Sequence, residues 1–417
     1  MRAATSDDVF PLSRVHLSER ALLLLLAAVQ FTHIMDFIIV MPLGPQLMRD
    51  LSISAAQFSL LIAAYTMTAG IVGLLSAPFI DRYDRRLVLI TAYAGFLLGT
   101  WGCAASVTYE GLLAARAVSG AFGGISNAII LAIVGDLVPA QRRGAAMGII
   151  MTAFSAASAL GVPFGLFLAQ QFRWEAPFMF LVAAGLAVEA GIIAFLPRVR
   201  GHLTGGPPAS WSNFLSLLSD RNAWWALLLM VSLVFGHFTI IPFLSPHLVF
   251  NLKLPESQLA LVYVVGGLLT IVSAPWIGRL SDRHGRAPVF TATVCAAVAV
   301  ILALTHAGPL PTAGTLALTG LFFIFASGRY VPAQAVLASA VTSAHRGAFM
   351  SLTACTRDLC SGLASILAGK VVLRAPDALL HVHWLGWLSA TISLLSILLI
   401  RQVRAVREPR TADGKQP

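Results

Sequence analysis

The chain has 417 residues, of which 58% are hydrophobic and only 11% are charged. A soluble domain carries about 25% charged residues, so this composition excludes a globule with a polar surface and predicts a protein surrounded mostly by lipid. The formal charge is +10 at pH 7. Its basic residues lie in short loops and at the chain ends, which is typical of a membrane protein and argues against a nucleic-acid surface.

The first twenty residues are polar and include Asp7, Asp8 and Glu19. They lack the basic–apolar–small order of a cleaved signal, so we expect the first apolar run to stay attached. We expect no cofactor and no metal site, because the cysteines lie in apolar runs without metal-ligand spacing and are interpreted as packing residues. They are Cys103, Cys295, Cys355 and Cys360.

Twelve apolar runs are long enough to cross a bilayer. A helical span needs about 20 mainly apolar residues, and backbone groups in lipid must form hydrogen bonds within their own segment. We therefore predict an all-α membrane protein with twelve transmembrane helices. The expected bounds are 21–43, 57–79, 87–107, 111–135, 145–170, 176–197, 224–247, 258–280, 288–306, 313–336, 348–372 and 379–400.

The distribution of basic residues predicts the orientation. If both termini are cytoplasmic, 20 of the 28 lysines and arginines lie on the cytoplasmic side and 5 on the other side. Such an excess is what the positive-inside rule describes. The remaining three, Arg116, Arg329 and Arg357, fall within predicted spans.

The chain repeats itself at half its length. Asp81-Arg82 matches Asp282-Arg283 at an offset of 201 residues, and Arg143-Gly144 matches Arg346-Gly347 at an offset of 203. His33 in the first span matches His237 in the seventh at an offset of 204. Two tandem copies with an even number of spans enter the membrane in the same direction, which is the parallel repeat of a two-bundle transporter.

These repeats predict five segments. We expect a cytoplasmic N-terminal segment at 1–20, a six-helix bundle at 21–197, a linker at 198–222, a second six-helix bundle at 223–400 and a cytoplasmic tail at 401–417. The linker is indicated by the density of glycine and proline between Gly205 and Pro208.

The loop after the second span, from Ala77 to Arg86, resembles the G-x-x-x-D-R-x-G-R-R signature of the major facilitator superfamily, with Ala77 and Asp84 in place of the two glycines. The copy at Gly278–Arg286 keeps both glycines. The resemblance implies that residues of both loops control opening of the cytoplasmic face: Asp81, Arg82, Arg85, Asp282, Arg283 and Arg286. Solvated topology charges are the alternative interpretation. Asp84 places an acid where the signature has its turn glycine, which predicts a different turn in the first copy.

Two further elements resemble the same family. Arg116 and Gly120 resemble its R-x-x-x-G element, and Gly161-Val162-Pro163-Phe164-Gly165 resembles part of the G-x-P-x-x-G motif associated with antiporters. The resemblance implies a conformational role for Gly161, Pro163 and Gly165, although close helix packing explains small residues at this spacing equally well.

Ionisable residues inside a membrane are costly and are functional candidates by default. Asp36 and Arg116 have similar expected depths, so we predict that they can pair and that Asp36 carries the coupling proton, with substrate binding as a second role. A permanent structural pair is the alternative. His33 and His237 are further proton-coupling candidates, and helix–helix hydrogen bonding is their alternative role. Arg329 and Asp358 are predicted to form a latch in the second half. Glu189 is buried in the sixth span without an assigned role.

Polar residues inside the spans are further candidates for lining the substrate cavity. Hydrogen bonding between helices is an alternative reason for their presence. They are Gln30, Tyr65, Asn127, Thr239, Tyr263, Tyr330 and Gln334.

The resemblance to the superfamily implies a bacterial inner-membrane drug/sugar:proton antiporter that exports a small organic molecule. We expect it to be a monomer in the lipid bilayer that binds substrate and protons but no nucleic acid. A proton-coupled importer or facilitator of a sugar or metabolite is the alternative. A membrane enzyme or sensor is disfavoured, because the sequence has no phosphate-binding glycine loop and no soluble catalytic domain.

Overall fold

The computed structural model describes residues 18–139, 142–204, 217 and 219–406. Nearly all of this part of the chain is helical. The helices are α1 Glu19–Ile39, α2 Gly44–Asp50, α3 Ala55–Ile80, α4 Arg85–Ala105, α5 Tyr109–Leu137, α6 Arg143–Ala156, α7 Val162–Gln171, α8 Ala176–Phe195, α9 Arg221–Phe238, α10 Ile241–Phe250, α11 Leu259–His284, α12 Arg286–His306, α13 Thr312–Gly328, α14 Tyr330–Ala338, α15 Ser343–Val371 and α16 Val382–Ile400. Two short strands, β1 Leu373–Arg374 and β2 Leu379–Leu380, pair antiparallel.

The predicted spans correspond to these helices to within a few residues. Among the described residues, eleven helical segments are long and apolar enough to cross a membrane. The twelfth predicted span is α15, which has 29 residues but lies outside that set. It carries Arg357 and Asp358 near its middle, which lowers its hydropathy. The fold is therefore an all-α membrane protein built from two pseudo-symmetric six-helix bundles.

Local sequence explains several helix starts. Ser54 and Gln57 form a capping box at the start of α3, and the hydroxyl of Thr108 accepts a hydrogen bond from Gly111 at the start of α5. Such side chains satisfy backbone N–H groups that lack a partner in the first turn. Each of these caps lies where a predicted span begins.

The two ends of the molecule are packed differently. We call the end that carries the α3–α4 connection, Asp81–Asp84, the arginine-rich end. At the opposite end, buried residues of both halves share one hydrophobic core, in which Phe58 packs edge-on against Phe243 at 6.0 Å between ring centroids. Toward the arginine-rich end, the first-half core around Tyr93 and the second-half core around Phe290 are separate clusters.

Polar contacts also join the halves at the opposite end. Arg49, after α2, forms a bidentate ion pair with Glu256, with 2.6 Å between Nη2 and Oε2. Arg374 of β1 donates hydrogen bonds to the carbonyls of Met48 and Ile53. The molecule is thus closed at the opposite end, whereas the described glycines Gly144 and Gly347 near the arginine-rich end have open space around them.

Glycines let α3 and α15 approach closely across the interface. A Cβ on Gly70 would lie 2.9 Å from Leu359 Cγ, and one on Gly362 would lie 2.5 Å from Met67 Cγ. Small residues at such positions permit backbone contact between membrane helices. The predicted segment bounds remain predictions, and 1–17, 205–216, 218 and 407–417 lie outside the described residues.

Candidate functional site

The centre of the first half contains a fully buried ion pair. Arg116 of α5 donates from Nη1 to Asp36 Oδ2 at 2.7 Å and to the Asp36 backbone carbonyl at 3.2 Å. Thr100 of α4 donates its hydroxyl to Asp36 Oδ1 at 3.2 Å. Both charged side chains have zero solvent exposure. Three helices therefore converge on one carboxylate, and its neighbours hold it in a single orientation.

The guanidinium group of Arg116 has further neighbours. Its central carbon lies 4.3 Å from the centroid of the Tyr65 ring, a cation–π arrangement. The Tyr65 hydroxyl donates to the His33 carbonyl at 3.4 Å. Arg116 Nε and Nη2 have no hydrogen-bond partner among the described residues. Arg116 thus keeps donors available that its contact with Asp36 does not use.

The two repeat-related histidines lie among aromatic rings. His33 is 5.8 Å from Tyr65 and 5.6 Å from Phe96 between ring centroids. Its two ring nitrogens have no hydrogen-bond partner in the described chain. His237 is 5.8 Å from Tyr330 and stacks on Phe322 at 6.1 Å. Neither histidine contacts a carboxylate in the described structure, so a role as proton relay stays a prediction.

The predicted latch between Arg329 and Asp358 is wrong for this conformation. Arg329 Nη1 donates to the Ser393 hydroxyl at 2.6 Å, and Asp358 accepts from Arg357 Nε at 3.0 Å. Neighbouring positions on a helix point about 100° apart, which by itself would keep the side chains of Arg357 and Asp358 separate. The long arginine side chain bends back along α15 and bridges that angle.

Arg357 is the residue that sequence reasoning left without a role. It is the fifteenth of the 29 residues of α15, near its middle, yet its side chain is 47% exposed. An exposed guanidinium at that depth lies beside open space inside the molecule. Adjacent opposite charges at the middle of a span were the signal in the sequence, because an intramembrane charge is kept only where it has a partner or water.

Three of the polar candidates for the substrate cavity form hydrogen bonds to another helix. Gln30 of α1 donates to Asn127 of α5 at 3.1 Å, and the hydroxyls of Tyr263 and Ser245 are 2.7 Å apart. Tyr330 donates to the Leu233 carbonyl at 3.2 Å. These contacts are interhelical hydrogen bonds, the alternative interpretation given above.

Two other candidates, Thr239 and Gln334, form no hydrogen bond to another helix among the described residues. Thr239 donates to the Phe235 carbonyl of its own helix at 2.7 Å and is fully buried. Gln334 is exposed. Of these two, only Gln334 has a side chain that a solute can reach in this conformation.

At the arginine-rich end, charges of the first half form a cluster. Asp81 Oδ1 accepts from Arg85 Nη1 at 2.6 Å, and Arg85 Nε donates to Asp136 Oδ2 at 2.9 Å. Arg85 thereby joins the end of α3, the start of α4 and the end of α5. In the second copy, Asp282 is exposed and forms no ion pair among the described residues.

The remaining arginines of the two loops also differ. Arg82 and Arg283 are exposed. Arg286 donates to the Ala335 carbonyl at 2.9 Å and to the Ser339 hydroxyl at 3.2 Å. The second copy is therefore held by neutral acceptors where the first uses carboxylates.

The replacement of glycine by Asp84 is accommodated by a different turn. Gly285, at the matching position, has φ +90°, which favours glycine. Asp84 has φ −58° and caps α4 by accepting from the Arg86 N–H at 3.0 Å. It also accepts from the Val199 N–H at 3.1 Å and from Arg200 Nε at 2.9 Å. Asp84 therefore ties the segment after α8 to this loop.

These contacts determine the pKa of Asp84. Burial raises the pKa, but the hydrogen bonds from Arg200, Val199 and Arg86 outweigh it, so the pKa lies below the usual value of a carboxyl group.

The predicted fifth span is interrupted at its antiporter-like motif. A π-helical turn, Ala157–Gly161, separates α6 from α7. Pro163 lies in the first turn of α7 and lacks the N–H that a regular helix needs, which favours a turn of this kind. A Cβ on Gly161 would lie 3.1 Å from Met35 Sδ, and one on Gly165 would lie 2.6 Å from Ile39 Cδ1. Both glycines are thus places of close packing against α1.

Glu189 of α8 is 8% exposed, and both of its carboxylate oxygens lack a hydrogen-bond partner among the described residues. It interacts electrostatically with Tyr93 of α4, whose hydroxyl is 2.8 Å from that of Thr32. Glu189 therefore lies on the side of α1 where α4 and α8 pack.

Two pseudo-symmetric six-helix bundles that carry paired charges within their spans are the architecture of a secondary transporter. The Major Facilitator Superfamily model matches residues 26–365. The chain belongs to this superfamily.

Three similar proteins illustrate the range of the match. An uncharacterized MFS-type transporter, YtbD of Bacillus subtilis (strain 168), is 27% identical over 363 residues, which cover 82% of this chain and 86% of YtbD. A chloramphenicol resistance protein of Streptomyces lividans is 26% identical over 58% of this chain and 62% of its own length. The crystal structure of a D-xylose-proton symporter superposes with a TM-score of 0.74 at 15% identity, covering 91% of this chain and 97% of the symporter.

Proposed function

We propose that this protein exports a small organic molecule, such as a drug, sugar or metabolite, in exchange for protons. The observation that carries the proposal is the ion pair between Asp36 and Arg116, which has zero exposure at the centre of the first half. An intramembrane carboxylate is costly unless it is paired. A group whose charge is balanced by one contact changes its protonation when that contact changes.

The geometry supports a specific sequence of events. Arg116 Nη1 bonds both the carboxylate and the backbone carbonyl of Asp36. A proton on Asp36 removes the charge attraction but leaves the carbonyl contact, so Arg116 gains freedom to turn its unpartnered Nε and Nη2 toward another acceptor. Movement of α1 against α5 then follows protonation, and rocking of the bundles exposes Asp36 to the two sides in turn.

We place the protein in the bacterial inner membrane as a monomer, with both termini in the cytoplasm. The excess of arginine on one side supports this orientation. The arginine-rich end then faces the cytoplasm, and the closed opposite end faces outward. In this conformation, substrate and protons would exchange with the cytoplasm.

The test is transport in proteoliposomes that contain the full chain and a trapped pH indicator. With an imposed pH gradient, an antiporter drives substrate and protons in opposite directions. Chloramphenicol, xylose and salicylate are the first probes. Asp36→Asn keeps an oxygen for Arg116 but cannot ionise, and we expect it to abolish substrate-dependent proton movement while substrate exchange without a gradient persists.

The matched control is Glu110→Gln, since Glu110 is an exposed acid in the first turn of α5. It should transport like the unaltered protein. Proton movement that survives in Asp36→Asn would identify the Asp36–Arg116 pair as structural and contradict its coupling role.

The second candidate function is a proton-coupled importer or facilitator of a sugar or metabolite. The same vesicles separate the two. A symporter moves substrate and protons in the same direction, and a facilitator moves substrate without any effect of the gradient.

A further inference from the structure

The exposed guanidinium of Arg357 lies between the two halves. Its charge interacts with His33 of α1 in the first half and with Tyr330 of α14 in the second. At this depth α15 borders the first half, because Leu359 and the Cys355 carbonyl, two positions to either side of Arg357, pack against Gly70 of α3. Arg357 is therefore a cation at mid-depth that both bundles surround and that a solute can reach.

The guanidinium of Arg357 has hydrogen-bond donors that Asp358 does not use. Among the described residues, its guanidinium makes one hydrogen bond, from Nε to Asp358. The two terminal NH₂ groups are left for a ligand, in the forked arrangement that binds a carboxylate with two parallel hydrogen bonds.

The charges around this space do not balance. The three intramembrane guanidinium groups are those of Arg116, Arg329 and Arg357, whereas the carboxylates paired with them are only those of Asp36 and Asp358. Arg329 forms no ion pair in the described chain, and its Nε and Nη2 lack partners. It shares the neighbour Tyr330 with Arg357, since both act electrostatically on that side chain. Of the neighbouring cations Arg329 and Arg357, only Arg357 has a carboxylate partner among the described residues, which leaves one positive charge unbalanced.

Glu189 does not cancel this excess locally. It lies on α8, where its electrostatic neighbour is Tyr93 of α4. Because Tyr93 belongs to the first-half core near the arginine-rich end, Glu189 is separated from Arg329 and Arg357 by packed helices.

A stack of aromatic rings lies near the pair of Arg357 and Asp358, since one of its members, Tyr65, interacts electrostatically with Asp358. Phe37 of α1 stacks on Tyr65 at 5.4 Å and on Phe238 of α9 at 6.0 Å between centroids, so one stack crosses from one half to the other. Such rings pack favourably against a planar ligand.

We propose that the transported substrate is a small aromatic carboxylate and that Arg357 binds its anionic group. The inference rests on the proposed transport function and specifies its substrate class. Asp358 competes with the ligand for the guanidinium, and the aromatic stack covers the ring of the ligand.

The test is equilibrium binding of two isosteric probes, salicylate and salicylamide, to the purified full chain in detergent by isothermal titration calorimetry. They differ in charge and share the ring. We expect salicylate to bind at least about tenfold more tightly, because hydrogen bonds to a charged partner are the stronger ones. Equal affinities, or tighter binding of the cation benzylamine, overturn the proposal.

Three variants locate the site. Arg357→Gln should weaken salicylate binding about tenfold or more and leave salicylamide unchanged, and Arg357→Lys should retain part of the affinity. Asp358→Asn removes the competing acid and should tighten salicylate binding, so weaker binding in this variant also overturns the proposal. Arg279→Gln, which removes an exposed arginine of α11, is the matched control and should bind normally.

The two proposals fail in different ways. Binding in detergent needs no gradient and no proton movement, so a missing exchange reaction in vesicles leaves the substrate class untouched. Conversely, salicylate and salicylamide of equal affinity refute the anion site while proton exchange with another substrate persists. If Arg357→Gln does not fold, the probe pair and Asp358→Asn still decide the question.

Discussion

At the scale of single residues, the pair Asp36–Arg116 dominates the interior of the first half. Taking two charges out of water is costly, and their attraction offsets that cost only with good geometry. The 2.7 Å contact and the hydroxyl of Thr100 supply such geometry. Loss of one partner is therefore more harmful than loss of both.

Arg116→Leu leaves the carboxylate of Asp36 buried with only a hydroxyl partner. We expect it to lower the free energy of unfolding on the order of 3–5 kcal/mol. The double variant Asp36→Leu/Arg116→Leu should recover much of that loss. Apparent melting temperature, followed by fluorescence-detected size exclusion in detergent, measures both. A double variant less stable than the single one would contradict this account.

Glu189 presents the converse case, an acid whose carboxylate oxygens have no hydrogen-bond partner among the described residues. Glu189→Gln keeps the shape and removes the charge, so we expect the free energy of unfolding to rise on the order of 1 kcal/mol. The apparent melting temperature should rise with it. The readout is the same thermal assay, with the exposed Glu110→Gln as the reference. Lower stability of Glu189→Gln would point to a carboxylate partner outside the described residues.

Depth along the chain made Asp36 and Arg116 a predictable pair, because residues at equal depth on neighbouring helices can meet. Arg357 was not predictable in the same way. The periodicity of a helix determines the direction in which each side chain leaves the backbone. The conformation of a long arginine side chain, however, depends on the space beside it. The same reason explains the wrong prediction of a latch between Arg329 and Asp358.

At the scale of elements, the two copies of the loop signature differ most at Asp84 and Gly285. Asp84 both caps α4 and holds Val199 and Arg200. A lost cap costs about 1 kcal/mol, and the two further hydrogen bonds add to this. We expect Asp84→Ala to lower the free energy of unfolding by about 1–2 kcal/mol.

The stability lost in Asp84→Ala should depend on pH. The pKa of Asp84 is lower in the folded protein than in the unfolded chain. Its stabilisation is therefore fully present above about pH 4 and disappears as the pH falls through the folded pKa. The melting temperatures of the unaltered protein and of Asp84→Ala, measured between pH 7 and pH 3, should converge at low pH. Asp50→Ala, at an exposed acid of α2, is the matched control for removal of a carboxyl group.

The twelve spans were predictable because apolar length alone determines them. The π turn at Ala157–Gly161, the helix α2 and the β1–β2 hairpin were not predicted. Each depends on packing at an interface: α2 lies in the core shared by both halves, and the π turn places Ala159 where a Cβ on Gly267 of α11 would be 2.9 Å from its Cα.

At the scale of the whole molecule, the repeat made two bundles predictable, but the sequence did not indicate which end is closed. Two conformations of a transporter differ by only a few kcal/mol, which is less than pattern reasoning resolves. The closed end depends on contacts such as the ion pair between Arg49 and Glu256, whose side chains are 41% and 34% exposed.

Charge reversal in Arg49→Glu should weaken this closure. An exposed pair contributes about 0.2–1 kcal/mol, which is enough to shift a nearly balanced equilibrium. With the four native cysteines replaced, spin labels at Gly144→Cys and Gly347→Cys report the separation at the arginine-rich end. We expect shorter distances in Arg49→Glu and restoration in Arg49→Glu/Glu256→Arg. Unchanged distances would mean that apolar packing alone holds this end shut.

The glycines between α3 and α15 have one more consequence. A membrane that stores energy as voltage tolerates no continuous thread of water, because ions would follow it. At Gly70 and Gly362 the two helices are in direct contact, because an added Cβ would meet Leu359 or Met67 there. We therefore expect these two glycines to help keep ions from leaking along the interface between the halves.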